Sequence, residues 1–232
     1  MVMDTLGKVN MIRVKICGIR NVSDMEMVSR LGADAIGLLV GQKHHSEDFI
    51  NIQTAQEILQ KCPPFVSSVL VTHLDTAKDI IDLVSQVLMG LSTLQIHSEC
   101  PVEDVIQIKK TFPTLKIVKN LHVIHGNKQQ LIHLISEYFS CVDAFLLDSI
   151  NVLENRVGGT GKIHDWDLSS EIVSSSAKPI ILAGGLNPEN ISSAIKHVRP
   201  FAVDVNSGLK NSHGFKDPFK VSEFIKKSKF ID

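Results

Sequence analysis

At 232 residues, 44% hydrophobic and 21% charged, the chain has the length and balance of one globular α/β domain. Its formal net charge of -1, with Lys and Arg scattered, excludes a basic field for nucleic acid, and no apolar run reaches the roughly 18 residues of a membrane span. Four separated cysteines (Cys17, Cys62, Cys100, Cys141) form no CxxC pair, which argues against zinc and a disulfide framework and for a reducing, cytoplasmic setting.

Residues 1–10 carry no apolar signal core and read as a leader, which leaves 11–232 as one domain. From Arg13 onward, short Val-, Ile- and Leu-rich runs alternate with longer amphipathic stretches. The spacing predicts strands at Arg13–Cys17, Ala35–Val40, Val66–Val71, Thr93–His97, Lys116–Leu121, Ala144–Asp148, Pro179–Ala183 and Ala202–Val205. Their near-continuous apolar character suits parallel strands covered on both faces. Helical spacing falls at Val22–Leu31, Thr54–Lys61, Asp75–Leu88, Val102–Phe112, Lys128–Phe139, Asn187–Val198 and Lys216–Lys227. Pro63-Pro64 ends the second of these, and Asn187 with Pro188 reads as the start of the sixth. Strand–helix alternation of this kind predicts a single (β/α)₈ TIM barrel, with an open doubly wound sheet as the second reading.

Chemistry in such barrels gathers where strands end. The first strand ends on Cys17, followed by Gly18; a thiolate there is a base or nucleophile, and a thiol there is equally a packing group. The sixth ends on Asp148 after Leu146-Leu147; a part-buried carboxyl is a general acid, or else a cap for the next segment. Gly184-Gly185 after the seventh strand and Ser207-Gly208 after the eighth form the loop pair that binds phosphate in many barrels. Gly158-Gly159-Thr160-Gly161 lies in a long loop after the sixth strand, from Ile150 to about His164, where a lid or binding loop is expected. The adjacent His44-His45 lack an acidic or Cys partner at ligand spacing, so no metal is expected.

Taken in order, Lys15-Ile16-Cys17-Gly18, Gly32-Ala33-Asp34-Ala35-Ile36-Gly37, Leu94-Gln95-Ile96-His97, Leu147-Asp148-Ser149, Gly158-Gly159-Thr160-Gly161, Asp165-Trp166, Ala183-Gly184-Gly185-Leu186-Asn187-Pro188-Glu189-Asn190 and Val203-Asp204-Val205-Asn206-Ser207-Gly208 resemble phosphoribosylanthranilate isomerase. The resemblance implies an Amadori rearrangement of N-(5-phosphoribosyl)anthranilate in tryptophan biosynthesis. It implies Asp148 as general acid and Cys17, as thiolate, as general base, with no metal or organic cofactor. Gly184, Gly185, Ser207 and Gly208 would hold the substrate phosphate, and His97, Asp204 and Gly159 would contact the rest. The partner is then a phosphorylated small molecule, and the protein a monomer or homodimer.

Two positions depart from the family pattern in charge. Asp48 stands where the family has an arginine for the anthranilate carboxylate, and Lys210 where it commonly has an acid. Ser98 also replaces a usual glycine. The acid, base and phosphate features survive, whereas recognition of the aromatic acid would be altered. A paralogue acting on another phosphorylated aminosugar and a non-catalytic phosphate-ligand binder are the competing readings. Retention of both Cys17 and Asp148 disfavours the binder.

Overall fold

In the computed structural model of the protein, residues 12–43, 46–151, 156–157 and 165–230 are described. The strands are β1 (Arg13–Cys17), β2 (Ala35–Leu39), β3 (Ser67–Thr72), β4 (Thr93–Ile96), β5 (Lys116–Val123), β6 (Ala144–Asn151), β7 (Arg156–Val157), β8 (Ile180–Leu182) and β9 (Ala202–Val205). The helices are α1 (Val22–Arg30), α2 (Ile52–Lys61), α3 (Ala77–Val87), α4 (Val102–Thr111), α5 (Lys128–Tyr138), α6 (Trp166–Ser175), α7 (Ile191–Val198) and α8 (Pro218–Lys229).

β1 to β5 pair in sequence and in parallel. β5 pairs with β6, β6 with β8, β8 with β9, and β9 with β1, so the sheet closes into a barrel with no open edge. Closure decides between the two expected architectures. β7 stands outside the barrel and runs antiparallel to the end of β6, pairing Ile150 with Val157 and Asn151 with Arg156. The start of the long loop is therefore a short hairpin rather than irregular chain. The motif 158–161 and His44-His45 lie outside the described residues, as does the leader.

Local sequence explains where the helices begin. Asn21, Asn51, Thr76 and Asp165 each accept a hydrogen bond from the backbone N–H three residues on, and Asp217 caps α8 with Pro218 as its first residue. α6, absent from the helical spacing read above, is signalled by Asp165. The expected start of α7 at Asn187 is corrected. The Asn187 side chain accepts from the N–H groups of Glu189 and Asn190, which uses it to cap a preceding turn, and the helix begins only at Ile191. An Asx turn offers the backbone an alternative to helix, and here it wins.

Packing falls in two layers. Alternate strand residues (Val14, Ile16, Leu94, Ile96, Phe145 and Leu147 among them) are buried against the helices in one extensive cluster. The barrel interior holds two small apolar clusters, Cys17–Leu39–Val69–Val71 and Val118–Ala144–Leu146–Ala183. Buried polar residues lie there as well. Lys15 and Asp204, direct partners in the β1–β9 register, join in an ion pair of 2.7 Å. No helix among the described residues is long and apolar enough to cross a membrane.

Candidate active site

Strand alternation aims the candidate catalytic groups. Successive side chains point to opposite faces of a strand. Val14 and Ile16 face the helices, so Lys15 and Cys17 face inward; Phe145 and Leu147 face the helices, so Ala144, Leu146 and Asp148 face inward. The same parity turns Gln95 and His97 inward from the end of β4. Cys17 is buried, and a Cβ at Gly37, its register partner on β2, would lie 2.7 Å from its Sγ. That glycine keeps the thiol's space open. Across the barrel, His97 Nε2 stands 3.6 Å from Asp148 Oδ2.

A cavity of about 180 Å³ at the C-terminal ends of the strands brings the candidates together. Cys17, His97, Asp148, Gly184, Gly185, Asp204 and Ser207 line it. Gly208 has a different role: a Cβ there would stand 2.0 Å from the carbonyl oxygen of Leu186, so Gly208 lets the loops after β8 and β9 touch. Gly184 and Gly185 have φ of 81° and 68°, the left-handed region that favours glycine. None of the hydrogen bonds within the described residues uses the backbone N–H of Gly184, Gly185, Ser207 or Gly208. A cluster of amides left without acceptors, on two loops pinned together, is what an anion needs.

Burial and neighbouring charges shift the groups around Cys17. Burial pushes the Cys17 thiol up to about 11; Lys15 opposes this, Asp204 adds to it and Lys216 opposes it. Ionising this thiol is therefore costly, and the positive charges beside it are what favour the thiolate. Burial also works against the charge on Lys15, yet Asp204 and Cys17 outweigh it and its pKa is raised. Lys216 is lowered to about 8 by burial, and its Nζ donates to the Asn206 carbonyl at 3.0 Å and to Asn206 Oδ1 at 2.7 Å. Any charge that Lys216 retains favours ionisation of Cys17.

The two charge departures meet in space. Lys210 Nζ lies 2.7 Å from the Asp48 carboxylate, which also accepts from Asn206 Nδ2 at 2.9 Å. Asp48 is 6% exposed and lines the cavity. The carboxylate that would repel an anionic substrate is thus neutralised by its neighbour. The two residues form one ion pair.

An aromatic row was not foreseen. Phe49 meets His73 edge-on at 5.2 Å, His73 stacks on His97 at 4.5 Å, and His97 meets His122 at 5.5 Å. Burial, with His97 second, holds His122 down at about 4, so this imidazole is neutral at pH 7. Inward parity from Val71 and from Asn120 would have placed His73 and His122. Lys15, Asn206 and Lys216 were likewise missed as site residues, because their partners are distant in sequence.

Comparison with known proteins gives a consistent match. A family model described as N-(5'phosphoribosyl)anthranilate (PRA) isomerase matches residues 14–227. The chain is 49% identical over 218 residues to N-(5'-phosphoribosyl)anthranilate isomerase 2 of Methanosarcina mazei, covering 94% of each protein. Among solved structures it is similar to a phosphoribosyl anthranilate isomerase in complex with reduced 1-(o-carboxyphenylamino)-1-deoxyribulose 5-phosphate. There the identity is 34% and the TM-score 0.77, over 94% of this chain and 99% of that one. It is also similar to monomers generated from the dimeric enzyme of Thermotoga maritima, at 33% identity and TM-score 0.77, over 94% and 99% of the two chains.

Proposed function

Because the chain belongs to the N-(5'-phosphoribosyl)anthranilate isomerase family, we propose that Cys17 and Asp148 carry the Amadori rearrangement by which it acts in tryptophan biosynthesis. The observation that supports these roles best is their placement. A thiol and a carboxyl, brought from β1 and β6, line one cavity beside two loops with unused backbone amides.

The substrate phosphate is held by the amides of Gly184, Gly185, Ser207 and Gly208, which fixes the sugar between acid and base. Asp148 gives its proton to the furanose ring oxygen as the C1–O bond breaks, producing a protonated Schiff base. That cation acidifies the neighbouring C2–H. The Cys17 thiolate takes this proton, and the electron pair forms the C1–C2 enolamine, which tautomerises to the ketone. Lys15, held by Asp204, and Lys216 lie where positive charge favours the thiolate. His97 touches the acid, and the Phe49–His73–His97 row offers a flat wall to the aromatic ring. Gly159 is assigned to substrate contact from the family motif alone.

The catalytic unit is the barrel of 11–232, acting without a metal or organic cofactor in the cytoplasm as a monomer or homodimer on a phosphorylated small molecule. The test is the decay of substrate fluorescence. Cys17→Ala and Asp148→Asn should each lower kcat by about 10²- to 10⁴-fold, the usual worth of an acid or base, with affinity for inorganic phosphate unchanged. Turnover by Cys17→Ala at the wild-type rate would remove the thiol from the mechanism.

A further inference from the structure

Gln95 stands in the middle of β4 and shares the inward face of that strand with His97. It is 3% exposed and lines the floor of the catalytic cavity. A further cavity, of about 450 Å³, lies toward the N-terminal ends of the strands and also touches Gln95, so this side chain lies between the two. Its register partners are Val71 on β3 and Val118 on β5. Both point inward, and neither brings a polar side chain.

The Gln95 carboxamide makes no hydrogen bond within the described residues, yet neither Oε1 nor Nε2 is sealed off: both keep accessible surface. A polar group this deep is costly without partners, at about 1–3 kcal/mol for each one missing, and an apolar side chain of similar size would fill the space without that cost. Its polar neighbour in the cavity is already engaged. Asp204 Oδ2 accepts from Lys15 at 2.7 Å, and Asp204 Oδ1 has no accessible surface. The Gln95 amide is therefore a neutral donor and acceptor that the cavity floor leaves open to a ligand.

We propose that Gln95 binds the two neighbouring hydroxyls of the substrate's sugar, its Nε2 donating to the oxygen on C2 and its Oε1 accepting from the hydroxyl on C3. A carboxamide presents donor and acceptor side by side in one plane, which suits a vicinal diol. In a furanose the C2–C3 edge lies opposite the ring oxygen, so a ring whose oxygen is held at Asp148 turns that edge away from β6 and into the cavity. Donation to the C2 oxygen also serves the product, in which that oxygen is a ketone and can only accept. The contact fixes C2 while Cys17 removes its proton. The assignment deepens the reading of this cavity given above and rests on it for the orientation of the sugar.

Calorimetric titration of the intact protein, Gln95→Met and Gln95→Asn tests it. The probes are reduced 1-(o-carboxyphenylamino)-1-deoxyribulose 5-phosphate, its counterpart without the C2 and C3 hydroxyls, and inorganic phosphate. Circular dichroism checks folding. The intact protein should prefer the hydroxylated ligand by about tenfold or more, the worth of one or two neutral hydrogen bonds. Gln95→Met should bind both ligands alike, with phosphate affinity unchanged. Gln95→Asn keeps the amide but withdraws it by one methylene; it should lose the preference as well, and it decides the matter if Gln95→Met does not fold. An undiminished preference in the variants, or none in the intact protein, would overturn the assignment of Gln95 alone. No binding of the hydroxylated ligand to intact protein that binds phosphate would overturn it together with the reading of the cavity.

Discussion

Removing Lys210 should cost the protein more than removing both members of its ion pair. Asp48 is 6% exposed and Lys210 Nζ stands 2.7 Å from its carboxylate. Two unit charges that close attract by on the order of 5 kcal/mol at an effective dielectric near 20, and desolvation of both groups offsets most of this. The asymmetry between the partners is therefore the observable. Lys210→Met leaves a nearly buried carboxylate with Asn206 Nδ2 as its one donor among the described residues, at a cost of about 3 kcal/mol. Asp48→Asn leaves a lysine whose side chain is 21% exposed and can turn to water, at a cost of about 1 kcal/mol. The double variant Asp48→Asn/Lys210→Met should be about 2 kcal/mol more stable than the single costs add up to. Urea unfolding of the four proteins at 25 °C, with a double-mutant cycle, measures this coupling. A pair this buried should keep most of it in 1 M NaCl. A coupling below about 0.5 kcal/mol, or a greater loss from Asp48→Asn than from Lys210→Met, would refute the view that the two departures form one neutralised unit.

The acid–base reading also predicts a pH profile. Because burial raises the thiol to about 11, alkylation of Cys17 by iodoacetamide, read against Cys17→Ala, should accelerate roughly tenfold per pH unit between pH 7 and pH 9; a rate that levels off within that range contradicts so high a pKa. Gly208→Ala would place a Cβ 2.0 Å from the Leu186 carbonyl oxygen and force the loops after β8 and β9 apart. Its KM should rise about tenfold or more, given that displacement of a positioning element by an ångström costs about 10²-fold, while Gly126→Ala, where a Cβ would meet nothing within 4 Å, should leave KM unchanged.

The barrel strands were legible because their signal is local. A run such as Phe145-Leu146-Leu147-Asp148 buries both faces and ends on a polar group, so it shows a parallel strand and the mouth at once. Cys17, Asp148 and the two glycine loops are expected at the mouth by the same logic of strand ends, and one cavity brings them together. Side-chain capping competes locally with helix, and there the reading was weaker: α6 was overlooked behind Asp165, and Asn187 capped a turn instead of α7.

What the sequence by itself determined, then, was a set of elements and their polar tips, since periods of 2.0 and 3.6 residues need only neighbours along the chain. The tertiary structure decided closure, charge state and partnership. Lys15 meets Asp204 across 189 positions and Lys210 meets Asp48 across 162. The raised pKa of the thiol at position 17 follows from burial by β1, β2 and β3 together, and the ammonium of Lys119 finds its acceptors in the carbonyls of Ser98 and Asn120. Coulomb and desolvation energies depend on distance and solvent exposure in the folded barrel, and neither is a property of separation along the chain.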